Sequence, residues 1–186
     1  VLVFYDYGNA SEIPDLSAYK RVTIMGYSMG VLMATAFCSE RMGLPVDDRI
    51  AFCGSVLPVS TTFGIEPAEY THFIDNMSPA LYKEFLFKVA GDILQYRKIA
   101  PKALPYQQKE RSESLAYILS VQEKSFPPIA WNHIALCKND LVFQVNKLQS
   151  FWSGMNVIPI LLEESHFPFF RWHSWEELLF LTSEVE

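Results

Sequence analysis

Cysteine is scarce in this sequence: Cys38, Cys53 and Cys137 lie far apart inside apolar runs, with no CxxC pair and no Cys/His cluster. This spacing argues against a disulfide framework and a zinc site, leaving the three as small buried hydrophobes. Neither a metal nor a cofactor is expected. No apolar run reaches the roughly 18 residues that a membrane span requires. The opening residues also lack a basic segment followed by an apolar stretch and a small-residue cleavage site. The expectation is a soluble, cytoplasmic protein that makes no membrane contact. Positive charge is short as well: 15 Lys and Arg against 21 Asp and Glu give a net charge of −6, which argues against nucleic-acid binding. Internal repeats and low-complexity tracts are absent.

What is present is apolar and aromatic. Half of the 186 residues are hydrophobic and 15% are aromatic, enough for one domain of ordinary size with a substantial core. "VLVFYDY" and "RIAFCGSVLP" are short, nearly continuous apolar runs suited to strands covered on both faces, and "RVTIM" is a β-branched run of the same kind. From Met29 to about Met42 the apolar pattern fits a buried helix, stopped by Gly43 and Pro45. Between about Val59 and Pro128 helical spacing replaces the strand-like runs. "SPALYKEFLFKVAG" puts Leu81, Phe85 and Val89 on one face between a Ser78 N-cap and a Gly91 stop, and "QQKERSESLAYILSVQEKS" reads as a further helix. Strands resume with "HIALCKND" and "MNVIPIL", separated by a crossover helix in "LVFQVNKLQSFWSG". "HSWEELLFL" closes the chain as an amphipathic helix. Alternating strands and helices predict an α/β fold with a mostly parallel sheet. Residues 1–58 and 129–186 would form the core, with 59–128 as a helical insertion.

One short stretch carries chemistry. "IMGYSMGV" sets Ser28 at the centre of Gly26-x-Ser28-x-Gly30, between the β-branched run and the buried helix. By chance this pattern arises about 0.06 times in a chain of this length. A Ser on a sharp strand-to-helix turn projects its hydroxyl above the sheet, and the flanking glycines let the helix pass close to the strand. Unpaired N–H groups at the helix start, beginning with that of Met29, would face an oxyanion formed at a carbonyl attacked by Ser28. The alternative is a small residue in a tight turn.

A serine nucleophile needs a base, and the base needs an acceptor to orient it. Asp140 follows "HIALCK" and His166 follows "MNVIPILLEES", so both occupy loops beyond strand carboxyl ends, where sites of parallel sheets lie. Their chain order, Ser28, Asp140, His166, is that of α/β-hydrolases. Against these roles stand an Asp that only forms a turn and a His that only packs against Phe167 and Phe169. His133 begins a strand, His72 lies in the insertion, and His173 opens the last helix. Glu163 and Glu164 are rival acids that precede His166 too closely to reach its far ring nitrogen.

"YDY…DLSAY", "GYSMGV", "FGI", the late "ND" and "ESHFPFFRWHSW" together resemble the BioG-type pimeloyl-acyl-carrier-protein methyl ester esterases, a branch of the α/β-hydrolases. The resemblance runs along nearly the whole chain. It implies a serine carboxylesterase in which Ser28, Asp140 and His166 cleave a methyl ester from a carrier-bound pimeloyl chain in biotin precursor synthesis. Such enzymes carry one more strand before "VLVFYDY", ending in a loop that donates a second oxyanion N–H. The sequence has no counterpart to it, so an N-terminally incomplete chain is expected, with Met29 as the one oxyanion donor on offer. An acyl thioesterase or a generic short-chain esterase would use the same three residues. A catalytically silent α/β-hydrolase fold that binds an acyl or protein partner remains a different reading.

The charge is unevenly placed. Between Tyr82 and Arg111 seven Lys and Arg face three Asp and Glu, a net +4, while the rest of the chain carries −10. Helical insertions of α/β-hydrolases form a lid over the nucleophile. A lid bearing Lys88, Arg97, Lys98, Lys102 and Arg111 is therefore expected to dock an acidic acyl carrier protein, the alternative being a plain solvated face.

Overall fold

The computed structural model describes residues 1–4, 15–41, 43–104, 108–124 and 126–180. Among them five strands form one parallel sheet in the order β1 (Leu2–Phe4), β2 (Thr23–Tyr27), β3 (Asp48–Phe52), β4 (His133–Cys137) and β5 (Ile160–Leu162). Seven α-helices accompany them, besides two short 3-10 turns: α1 (Gly30–Glu40), α2 (Pro67–Asp75), α3 (Pro79–Ala90), α4 (Ile93–Ala103), α5 (Gln108–Gln122), α6 (Val145–Gly154) and α7 (Trp175–Phe180). The turn-rich segment after the first strand and the end of the last helix lie outside the described residues.

Side chains alternate along the strands and feed two cores. Ile24, Ala51, Ile134 and Leu136 face the larger one, shared with α1 and α6. Met25, Ile50, Phe52, Ala135 and Cys137 face a smaller one beside Leu162 and Leu178. Helix α1 is enclosed, with nine of its eleven residues buried, as its all-round apolar pattern predicts. Strand β1 pairs directly with β2, Leu2 opposite Ile24. It thus lies directly beside the strand that leads into Ser28.

Two strands are shorter than their apolar runs. β3 stops at Phe52 because Cys53 turns to φ 45°, and β5 begins only after Pro159, which has no N–H for a ladder. Asn156, just past α6, takes φ 59°, the left-handed cap common to helix ends.

Helices α2 to α5 all lie between β3 and β4. Ser78 caps α3 by accepting from the Leu81 N–H, and Gly91 ends it at φ 78°. Residue spacing alone does not delimit α2 and α4. Pro67 at the start of α2 and Asp92, which accepts from the Leu94 and Gln95 N–H groups, were the available signals. Pro101 inside α4 disguises the second. Tyr70, Ile118 and Val121 join the larger core, so this segment packs on the sheet domain.

Candidate active site

Ser28 sits past the end of β2 with φ 57°, a left-handed conformation that costs a non-glycine residue about 1–3 kcal/mol and is held only by its surroundings. The Ser28 N–H donates to the Phe52 carbonyl at 2.8 Å, and its own carbonyl accepts from the Val31 N–H at 3.2 Å. A β-carbon on Gly26 would come within 2.6 Å of Val31 Cα, so the first glycine of the motif is a steric requirement of the turn. Ser28 is buried.

Across the carboxyl edge of the sheet, His166 and Asp140 meet it. His166 Nε2 lies 3.0 Å from Ser28 Oγ, and Nδ1 lies 2.7 Å from Asp140 Oδ2. With Nδ1 protonated, the imidazole donates to the carboxylate and accepts from the serine hydroxyl. The Asp140 side chain is fixed in turn: Oδ1 accepts the N–H groups of Val142 at 2.7 Å and Phe143 at 2.8 Å. Tyr27 and Phe143 pack against the imidazole, with ring centres 5.1 and 5.7 Å away. Both side chains are enclosed, at 2% exposure for His166 and 1% for Asp140.

The rival acids are engaged elsewhere. Glu163 pairs with Lys138, and Glu164 approaches Arg171 at 3.5 Å. His133 lies 3.9 Å from Asp48 at the start of β4, and the His173 N–H donates to Glu177. His72 is exposed on α2 and borders the cavity described next.

A cavity of 580 Å³ opens onto Ser28 and Met29. Its walls are apolar where Tyr70, Phe73, Met77, Phe85 and Leu115 line it, while Lys88, Lys102 and Arg111 add positive charge and Glu69 and Glu84 negative charge. The basic group is split. Arg111 is half-buried, with its guanidinium 3.3 Å from the Tyr82 ring centre and donating to the Ala103 carbonyl. Arg97 and Lys98 are exposed on α4 and do not line the cavity.

Several residues around Ser28 gave no sign of their roles in the sequence. Tyr70 donates its hydroxyl to the Leu115 carbonyl at 2.9 Å and reaches Met29 Sδ at 3.5 Å, joining α2 and α5 to the residue after Ser28. Gly54, after β3, abuts the Ser28 backbone, and its carbonyl accepts from Trp152 Nε1 at 3.0 Å. Its sole signal was a glycine directly after an apolar run. Cys53 and Cys137 lie below, with sulfurs 2.8 Å apart. Burial first, then the neighbouring thiol and Asp140, push the Cys53 thiol well above its usual range, so it remains neutral. Among the described residues no group of three or more His, Cys, Asp or Glu could hold a metal, and no helix is long and apolar enough to cross a membrane.

A parallel sheet with a Ser-bearing strand-to-helix turn at its carboxyl edge, and helices inserted between later strands, defines an α/β-hydrolase fold. Solved structures agree. The crystal structure of BioG from Haemophilus influenzae superposes with a TM-score of 0.78 at 21% identity, covering 93% of this chain and 78% of that one. An esterase from Exiguobacterium antarcticum gives 0.65 at 16% identity, covering 90% and 66%. The model of the family "Pimeloyl-ACP methyl esterase BioG" matches residues 1–178, and the chain belongs to that family. An uncharacterized protein of Haemophilus influenzae (strain Rd) is 25% identical over 182 residues, 96% of this chain and 81% of that protein. A malonyl-[acyl-carrier protein] O-methyltransferase of Bacteroides fragilis (strain 638R) is 24% identical over 155 residues, 82% of this chain but 31% of that protein.

Proposed function

We propose that this chain is a serine carboxylesterase that removes the methyl ester from a pimeloyl chain held on an acyl carrier protein. The observation that carries this reading is the continuous hydrogen-bonded line from Ser28 Oγ through His166 to Asp140, at 3.0 and 2.7 Å. Family membership supplies the substrate class.

In this mechanism His166 Nε2 takes the hydroxyl proton as Ser28 Oγ attacks the ester carbonyl. Asp140, held by two backbone N–H groups, keeps the imidazole oriented and stabilises the imidazolium without accepting the proton. The oxyanion is received by the Met29 N–H at the entrance to α1. Collapse of the tetrahedral intermediate expels methanol, protonated by His166, and leaves an acyl-serine. Water, deprotonated by the same imidazole, releases the pimeloyl carboxylate and restores Ser28. The thioester to the carrier is not cut.

Residues 59–128 act as a lid over the cavity, and Lys88, Arg97, Lys98, Lys102 and Arg111 attract the acidic carrier. A carrier-bound substrate also implies a cytoplasmic enzyme. The test is reaction with a fluorophosphonate followed by peptide mapping, then assay of the methyl ester against an acyl thioester. A Ser28 adduct with methanol release from the ester is the expected result. No adduct would leave a non-catalytic binding protein, and faster thioester cleavage would make it a thioesterase.

A further inference from the structure

Three separate contacts join the His166 loop to the corner where α3 meets α4. The Phe167 N–H, one residue after His166, donates to the Val89 carbonyl at 3.2 Å. That carbonyl belongs to the last turn of α3, where helices leave four carbonyls without intrahelical partners. Gly91 faces Ser165, one residue before His166. A β-carbon at Gly91 would lie 2.5 Å from Ser165 Cβ and 3.3 Å from its Oγ. Third, Lys98 of α4 places Nζ 4.9 Å from the centre of the Phe170 ring, within cation–π range. On its other side the loop rests on the sheet through Tyr27, whose ring meets Phe167 at 5.9 Å and Phe169 at 5.0 Å.

The loop is therefore held between the sheet and the inserted helices, with His166 between its two points of contact to α3. Ser165 Cβ is bonded to the main chain and cannot swing aside by changing rotamer. Whatever fills the space at Gly91 must shift the backbone next to His166. The imidazole has little tolerance for this, since it must reach Ser28 Oγ and Asp140 Oδ2 at once, and a misplacement of about 1 Å costs on the order of 10²-fold in rate.

We infer that the α3–α4 corner is a positioning element for His166, acting together through the Gly91–Ser165 approach, the Val89–Phe167 hydrogen bond and the Lys98–Phe170 contact. This rests on the reading of His166 as the general base for Ser28. The inserted helices then do two things: they wall the cavity and they press the base into register. Arg97 and Lys98 lie on α4, so a carrier docked there bears on the same corner.

The experiment compares wild type, Gly91→Ala, Ser165→Gly and the double variant. Each is assayed with p-nitrophenyl butyrate, with a fluorophosphonate that labels Ser28, and by thermal unfolding. Gly91→Ala is expected to lower kcat and the labelling rate about 10²-fold with KM little changed. Adding Ser165→Gly is expected to restore most of both, because the space reopens. The fall in Tm due to a β-carbon at φ 78° should persist in the double variant, which separates positioning from stability. A double variant as slow as Gly91→Ala, or a Gly91→Ala variant as fast as wild type, overturns the positioning role. Should Gly91→Ala fail to fold, Phe170→Leu decides: a several-fold drop in kcat at constant KM supports the role, and an unchanged kcat overturns it. Wild-type protein that takes no label on Ser28 would instead overturn the catalytic reading itself, and this inference with it.

Discussion

A β-carbon added to Gly54 would lie 2.1 Å from the carbonyl oxygen of Ser28, so the chain leaving β3 runs directly against the turn that presents the hydroxyl. Trp152, fully buried on α6, holds that chain in place through the Gly54 carbonyl. Gly54→Ala should therefore be an overpacking substitution, destabilising by about 1–3 kcal/mol and lowering turnover beyond what the lost stability explains. Urea unfolding and ester hydrolysis, measured on the same preparation, separate the two effects. Wild-type turnover would show that the Ser28 backbone accommodates the shift.

Ser28 itself should reveal a trade between stability and activity. Ser28→Ala is expected to abolish hydrolysis while leaving the unfolding transition nearly unchanged, because it keeps a β-carbon at φ 57° and removes only a hydroxyl. Ser28→Gly should be equally inactive yet more stable than Ser28→Ala by about 0.5–1 kcal/mol. Relief of the left-handed strain exceeds the entropy that glycine adds to the unfolded chain. A Ser28→Gly protein less stable than Ser28→Ala would count against strain at the turn.

For the acid, Asp140→Asn should lose roughly 10⁴-fold in kcat, since an amide at this site favours the wrong imidazole tautomer. Glu164→Gln should cost little, as Glu164 faces Arg171. The reverse order of damage would reassign the acid.

Docking of the carrier is best probed at Arg97, the basic residue on α4 that neither lines the cavity nor touches the His166 loop. Arg97→Glu should lower kcat/KM for a carrier-bound ester at low salt and leave a small carrier-free ester unaffected. The difference should shrink as ionic strength rises, because screening sets in over about 10 Å at 0.1 M. Equal losses on both substrates would leave Arg97 as an ordinary surface charge.

The parts of this site that could be read in the sequence are those whose requirements are local. A serine forced to φ 57° shows itself through flanking glycines, and Asp140 and His166 through their places just after apolar runs. The helix from Met29 was equally legible, because complete burial needs an all-round apolar pattern. What stayed hidden depends on the meeting of distant segments. Gly54 against Ser28, Gly91 against Ser165 and Tyr70 against Met29 are contacts of shape, and no residue spacing encodes them. The placement of charge is hidden in the same way. The run of Lys and Arg between Tyr82 and Arg111 looks uniform as a string, yet folding turns the Arg111 guanidinium onto Tyr82 and leaves Arg97 outside.

The hydrogen bond between Ser28 and His166 spans 138 positions of the chain. On a ribosome Ser28 emerges long before His166, and β5 must add to the sheet before the imidazole can come within reach. On the proposed mechanism a nascent chain cannot attack esters before that point. On the same mechanism, misfolded or clipped molecules that release β5 would lose reactivity as a unit rather than become indiscriminate hydrolases. Covalent labelling of Ser28 would for that reason report on completion of the whole sheet, and it would count native molecules in a mixture where far-UV spectroscopy averages over all of them.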